Sequence, residues 1–212
     1  RFSSYGVAIA SVIAEMVMAF IEICYSTIVL KFFTIEDVFK TAKEQGDDVI
    51  CILLSSELSG TCQSASIAKN MADYDNIHII DSLSTTFVIR MLANHACKLR
   101  DSGCSATEIV ESIEALKSRV KVVAALDTLE YLCKGGRLSK AAAAIGELAS
   151  IKPMITVSES GSISILGKCI GKNKAISGII KHIQDNTIDE TFPVYSLYTY
   201  GTANCERLEE KL

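Results

Sequence analysis

Residues 55–65 read SSELSGTCQSA, and this stretch decides the fold because it lies between two different apolar patterns. The apolar run at residues 49–54 predicts a buried strand, and the spacing of residues 65–71 predicts an amphipathic helix. A hydroxyl-rich turn between a strand and a helix brings backbone N–H groups and hydroxyls together at the positive end of the helix dipole. The turn therefore predicts a site for a carboxylate or a phosphate.

The same turn has a simpler interpretation, which the local pattern leaves open. Ser-Gly-Thr before a helix is also an ordinary N-cap and turn, in which the hydroxyls serve only the backbone. No Lys follows Gly60, so the stretch is not a nucleotide-binding P-loop. The chain also has no Gly-x-Ser-x-Gly elbow, so the pattern does not indicate a hydrolase nucleophile.

The flanking segments predict a parallel sheet. A helix is expected at residues 35–45 with Thr34 as its N-cap, a second strand at 76–81 and a further helix at 86–100. Strands that alternate with helices pair in parallel, and ligands of such sheets bind at the carboxyl ends of the strands. The turns at residues 55–61 and 82–86 are both expected at that edge.

The second half of the chain follows a different pattern. Strands are predicted at residues 121–126, 151–158, 162–168 and 193–200, with a hairpin turn at 159–161 and helices at 106–119, 129–134, 140–150 and 173–184. We expect an α/β fold in which an N-terminal parallel βαβ domain (1–82) packs against an α+β second domain (83–212). The cleft between two such domains is the expected ligand site.

Composition excludes several classes of function. The formal net charge of −4 and the pI of about 5.5 argue against a nucleic-acid partner. Glu15 and Glu22 interrupt the apolar stretch at residues 6–23, so we expect no stable membrane insertion. The eight cysteines form no C-x-x-C pair and no zinc-ligand spacing, which favours a cytoplasmic protein with reduced thiols and no metal site.

Two long motifs in this order resemble the DegV family of fatty-acid-binding proteins. Residues 55–65 are similar to the family motif Ser-Ser-x-Leu-Ser-Gly-Thr-Tyr-Gln-Ser-Ala, with Cys62 in place of the Tyr. Residues 127–140, which read DTLEYLCKGGRLSK, resemble the second family signature. The segments DSLSTT at 81–86 and IKPMITV at 151–157 also look like family segments, so the resemblance runs from about Thr34 to the C-terminus.

The resemblance implies a carrier rather than a catalyst, with no catalytic residue and no cofactor. Its ligand would be a long-chain fatty acid such as palmitate, bound between two domains and presented for lipid metabolism to a fatty acid kinase subunit. In the family, the Ser of Ser-Gly-Thr binds the carboxylate, which maps to Ser59. The expected ligand-binding residues are Ser59, Gly60, Thr61, Ser82, Ser84 and Thr85. Asp127 and Arg137 are expected to serve as scaffold or to contact a partner.

The chain departs from the family pattern at three places. LKFFT at residues 30–34 stands where the family has Thr-Ser-Gln-Pro-Ser/Thr, and Ile170 stands where it has Arg. Residues 1–33 are atypical and the second domain is expected to be truncated, as in a frameshifted or fragmentary gene. Two alternatives therefore remain: a Ser-dependent acyl hydrolase or transferase, which would need a base beside Ser59, and a remnant that binds nothing.

Overall fold

The structure is a computed structural model that describes residues 34–139, 151–198 and 202–210. The atypical segment at residues 1–33 and the predicted helix at 140–150 lie outside the described residues. The described residues form two compact units. The first contains residues 34–121 and 159–162, and the second contains residues 122–139, 151–158, 163–198 and 202–210.

The first unit is a parallel βαβ arrangement, as predicted. Its elements are α1 (Ile35–Gln45), β1 (Val49–Leu53), α2 (Thr61–Ala72), β2 (Ile77–Asp81), α3 (Phe87–Asp101) and α4 (Ala106–Lys117). Strands β1 and β2 pair in parallel, from Val49 opposite Ile77 to Leu53 opposite Asp81. The carboxyl ends of both strands therefore lie at the same edge of the sheet.

Local sequence signals fix the ends of the helices. Thr34 caps α1 and Ser105 caps α4, each in a capping box with an acidic residue three positions later. Gly46 ends α1 at a φ of 75°, a left-handed conformation that costs glycine little. These ends follow from neighbouring residues alone, which explains why the sequence predicts them well.

Both faces of the parallel sheet are covered by helices. Phe39 of α1 and Ala68 and Ala72 of α2 pack against Ile77 on one face. Successive side chains of a strand point to opposite faces, and Ile80 is also buried, at 1% exposure. Helix α3 contacts β1, and helix α4 contacts both strands. A sheet buried on both faces explains the continuous apolar runs in β1 and β2.

The second unit has the predicted α+β composition. Its elements are β3 (Val123–Ala125), α5 (Glu130–Lys134), β4 (Ile151–Val157), β5 (Ile163–Ile170), α6 (Lys172–Gln184) and α7 (Ala203–Glu209). The strands form an antiparallel sheet in the order β3-β4-β5. The predicted hairpin between β4 and β5 is confirmed. Its tip, residues 159–162, belongs to the first unit.

One strand prediction is wrong over the residues described. Residues 193–198 adopt neither strand nor helix, although their sequence predicts a strand. None of the described strands pairs with this segment. Val194 and Tyr198 are 59% and 52% exposed, so their apolar surface is not covered as it would be on a packed sheet.

The division into units also differs from the sequence prediction. The first unit extends to residue 121, whereas the predicted domain boundary followed residue 82. The reason is that α3 packs against β1 and that α4 packs against β1 and β2. The change from a βαβ pattern to a hairpin pattern begins only at β3.

Candidate functional site

Two hydroxyl-rich turns lie side by side at the carboxyl edge of the parallel sheet. The first follows β1 and the second follows β2. The backbone N–H of Ser55 donates to the carbonyl oxygen of Ser84 at 2.9 Å, and the N–H of Ser82 donates to the carbonyl of Leu53 at 3.1 Å. The predicted convergence of the two turns is therefore confirmed.

The first turn presents two hydroxyls at the start of α2. Ser59 Oγ and Thr61 Oγ1 are 2.7 Å apart, and Ser59 Oγ also accepts from the N–H of Thr61 at 3.3 Å. Both side chains are half-buried. Gly60 occupies the N-cap and makes no side-chain capping bond. Among the described residues, an added Cβ on exposed Gly60 would meet no atom within 4 Å, so the space beside the first turn is open there.

The second turn is built from buried serines. Ser82 Oγ donates to the carbonyl of Ser84 and accepts from its N–H, both at 3.2 Å. Ser82 is 0% and Ser84 4% exposed, whereas Thr85 is half-buried. These bonds give Ser82 a role in shaping the turn. The ligand contacts of Ser82, Ser84 and Thr85 stay predictions.

The backbone of the second turn is strained. Leu83 has a φ of 49°, and Thr86 has a φ of 55° with a ψ of −127°. A β-branched residue such as Thr rarely adopts a positive φ, and such conformations persist where surrounding contacts hold them. Thr86 immediately precedes α3, so the strained residue fixes the direction in which the chain leaves the turn.

Asp81 supports both turns through backbone donors. Its carboxylate accepts from the N–H of Leu83 at 2.9 Å and from the N–H of Ser56 at 3.3 Å. Its carbonyl accepts from Lys117 Nζ at 2.9 Å, and the same ammonium pairs with Glu114 at 2.7 Å. The Lys117 side chain is 15% exposed. A partly buried cation therefore lies at the end of β2.

Cys62, the second residue of α2, remains a neutral thiol. Burial raises its pKa, and the nearby Asp81 carboxylate raises the pKa further, while Lys117 lowers it to a smaller extent. Its Sγ donates to the carbonyl of Leu54 at 3.4 Å. A thiol with a raised pKa is a poor nucleophile, so Cys62 packs against the turn rather than supplying chemistry.

Among the described residues, Ser59 lacks the partner that a serine nucleophile needs. Its recorded side-chain partner is the hydroxyl of Thr61, not a carboxylate or an imidazole. The Asp81 carboxylate is engaged by backbone N–H groups. His95 Nε2 lies 3.1 Å from Ser112 Oγ on α4. No described base activates Ser59 for attack.

Asp127 and Arg137 lie in the second unit and make local contacts. The Lys152 ammonium is 2.7 Å from the Asp127 carboxylate, and its hydrogen bond holds the Asp127 pKa below its ordinary value. Lys172 lowers that pKa further. Arg137 donates from Nη1 to the carbonyl of Gly135. These contacts are consistent with scaffold roles, and a partner role for either residue stays a prediction.

The described part of the chain contains neither a metal-ligand cluster nor a membrane-spanning helix. No group of three His, Cys, Asp or Glu side chains is placed to hold a metal ion within residues 34–139, 151–198 and 202–210. None of the described helices has the length and apolar character required to span a bilayer.

The sequence reasoning missed two residues that shape the site. Ser55 Oγ donates to the carbonyl of Gly161 at 2.8 Å, across 106 positions of the chain. Both residues are buried. The composition of residues 159–161 predicts a hairpin turn. Nothing in a single sequence indicates which distant side chain this turn contacts.

Comparison with known families identifies the chain. The family model described as "Uncharacterised protein, DegV family" matches residues 22–212. The chain belongs to the DegV family. A DegV domain-containing protein of Clostridium acetobutylicum is 39% identical over 154 residues, which cover 73% of this chain and 55% of the relative. The chain spans about half the length of the curated relatives it matches.

Solved structures of DegV proteins share the fold. A DegV family protein from Thermus thermophilus, described by its fatty acid binding, is 30% identical with a TM-score of 0.64, over 71% of this chain and 53% of that chain. The Streptococcus pneumoniae Fatty Acid Kinase (Fak) B3 protein, loaded with linoleic acid, is 29% identical with a TM-score of 0.64. That match covers 72% of this chain and 56% of that chain.

Proposed function

We propose that this DegV chain binds a long-chain fatty acid, such as palmitate, with the carboxylate at Ser59 and Thr61. The hydroxyl pair at the start of α2 carries the proposal. The two oxygens are 2.7 Å apart and half-buried, and Gly60 rather than either residue occupies the N-cap of α2. The positive end of the α2 dipole and the open side at Gly60 favour the approach of an anion.

The headgroup and the tail contribute differently to binding. A hydrogen bond from a hydroxyl to a carboxylate is charge-assisted and contributes about 1.5–3 kcal/mol. Each buried methylene contributes about 0.8 kcal/mol, so a long alkyl chain provides most of the affinity. The Ser59 turn therefore orients the ligand, and chain length determines how tightly it is held.

The proposed role is that of a carrier in lipid metabolism. The pneumococcal relative is named as a component of a fatty acid kinase, and its structure holds linoleic acid. By analogy, this chain would present a bound fatty acid to a kinase subunit. No metal or organic cofactor is needed for a function that consists of binding and presentation.

An acyl hydrolase or transferase is less well supported. The described surroundings of Ser59 hold a second hydroxyl, where a hydrolase needs a general base. Cys62 is buried and its pKa is raised, so it does not offer an alternative nucleophile. The proposed function therefore assigns Ser59 to binding.

Substitution of Ser59 tests the proposal. Ser59→Ala removes one donor to the carboxylate, so the affinity for a fluorescent fatty acid should fall by about 1.5–3 kcal/mol, or roughly tenfold to over a hundredfold. Fluorescence titration at neutral pH measures the dissociation constants of the wild-type chain and the variant.

Ser66→Ala is the matched control. Ser66 is an exposed serine of the same helix, and its Oγ donates to the carbonyl of Cys62 at 2.9 Å. Its replacement should change the affinity by less than about twofold, because exposed substitutions away from a site have small effects. Equal affinities of wild type and Ser59→Ala would show that the carboxylate binds elsewhere or that no fatty acid binds.

A further inference from the structure

We infer that Ser55 and Gly161 are positioning residues for the carboxylate site, an inference that rests on the proposed function. Neither residue is a proposed ligand contact. Both lie in the first unit, Ser55 after β1 and Gly161 at the tip of the β4–β5 hairpin. Together they fix the position of the Ser59 turn. The position of this turn determines how strongly the site prefers a carboxylate headgroup.

Ser55 uses its backbone carbonyl to hold the Ser59 turn. This oxygen accepts from the N–H of Leu58 at 2.9 Å and from the N–H of Ser59 at 3.0 Å. The Ser55 N–H donates to the carbonyl of Ser84, which connects the same residue to the second turn. Any movement of Ser55 therefore moves Ser59 directly.

The hairpin tip fixes the position of the Ser55 hydroxyl. Ser55 Oγ donates to the Gly161 carbonyl at 2.8 Å and accepts from the N–H of Glu57 at 3.3 Å. Ser55 is 0% exposed, so water cannot replace these partners. A buried hydroxyl that loses its acceptor destabilises the fold. The conformation of the turn therefore depends on the Gly161 carbonyl.

Gly161 cannot be replaced by a larger residue without moving the turn. A Cβ at this position would lie 2.2 Å from Ser55 Oγ and 3.2 Å from Leu83 Cα. The glycine also has a φ of 89°, a conformation that side chains disfavour. The hairpin tip therefore sits against both hydroxyl-rich turns, where only a hydrogen atom fits.

The test compares a fatty acid with the alcohol of the same length. Palmitic acid and hexadecanol displace the uncharged fluorophore N-phenyl-naphthylamine from the full 212-residue chain. The ratio of their affinities reports headgroup selection, because the alkyl chains are identical. We expect the wild type to favour the acid by about tenfold or more, and Ser59→Ala to lose most of this preference.

Ser55→Ala and Gly161→Ala should reduce the preference for the acid by about three- to tenfold, while the affinity for the alcohol changes less than about twofold. Gly46→Ala is the control for backbone strain, because Gly46 has a φ of 75° and an added Cβ would meet no atom of the described residues within 4 Å. It should leave the preference unchanged. Circular dichroism checks that each variant folds, and Ser55→Ala alone decides the matter if Gly161→Ala does not fold.

The outcomes separate the inference from the proposed function. If Ser59→Ala loses the preference and Ser55→Ala retains it, the positioning role is wrong and the proposed function stands. If Ser55→Ala weakens acid and alcohol equally, the residue has only a structural role and the inference is again wrong. A wild-type chain with no preference for the acid would overturn the proposed function and the inference together.

Discussion

The two units bury their apolar side chains to different depths. In the first unit, Phe39, Ile77, Ile80, Leu92 and Ile113 are each no more than 1% exposed. In the described part of the second unit, Pro153 is the large side chain with an exposure below 2%. Exposed apolar residues occur in both units, but the most exposed of the large ones, Ile170 at 66%, lies on β5 of the second.

The difference follows from how each sheet is assembled. In the first unit, helices next to the strands in sequence cover both faces, so residues 34–121 supply most of their own core. The second unit has a three-stranded antiparallel sheet, and Ile170 ends the strand at its edge. Deep burial near the candidate site gives the hydroxyl-rich turns a rigid support, which a headgroup site requires.

Truncation of one apolar side chain in each unit, one buried and one exposed, tests the comparison most strongly. Phe39→Ala should lower the free energy of unfolding by about 3–5 kcal/mol, because it leaves a cavity among α1, α2 and β2. Ile170→Ala should cost less than about 0.5 kcal/mol, because its side chain is largely exposed. Urea denaturation followed by circular dichroism measures both. A cost above about 2 kcal/mol for Ile170→Ala would break the comparison.

A second test uses one lysine ion pair from each unit. Lys117→Met removes the ammonium that donates to the Asp81 carbonyl and pairs with Glu114, and it should cost about 1–2 kcal/mol. Lys134→Met removes an exposed pair with Glu130 in the second unit and should have no measurable effect on the free energy of unfolding. Denaturation at low and high salt measures the costs. Equal costs for the two variants would contradict the special placement of Lys117.

The smallest expected effect concerns the pH dependence of the second unit. The pKa of Asp127 is lowered in the folded chain, chiefly by its hydrogen bond to Lys152, from an ordinary value of 3.8. A carboxyl group whose pKa is lowered on folding stabilises the fold at pH values above its unfolded-state pKa. This contribution is lost as the pH falls through its folded-state pKa. Because the side chain is 70% exposed, the contribution should be only about 0.2–0.5 kcal/mol.

Asp127→Asn checks this prediction. The variant should be less stable than the wild type by that small amount at neutral pH, and the difference should disappear at a pH well below 3.8. Thermal unfolding across this range measures it. A difference that persists in acid would mean that Asp127 acts through packing rather than through its charge.

Sequence patterns predicted the parts of the molecule that depend on near neighbours. The N-cap Thr34 of α1 and the apolar run of β1 each act within one or two turns of chain. The meeting of the turns after β1 and β2 was also predictable, because parallel strands align their carboxyl ends. The family motifs then drew attention to Ser59.

Features that depend on distant partners could not be predicted in the same way. The segment at residues 193–198 has the composition of a strand, yet a strand forms only where another strand pairs with it. The extent of the first unit depends on which sheet α3 and α4 cover, and their sequences do not show this. The hydrogen bond from Ser55 to Gly161 has no local signal at either end.

The long separation between Ser55 and Gly161 has a consequence for the order of folding. Strands β1 and β2 and their helices leave the ribosome well before the hairpin tip, whose partner lies 106 positions earlier. Nearby contacts form first because they close short loops at low entropic cost. The nascent first unit would therefore carry an unfinished Ser59 turn, with the Ser55 hydroxyl still hydrated, until β4 and β5 are synthesised. The Ser59 turn is then completed only after the hairpin is made, although its own residues are synthesised earlier.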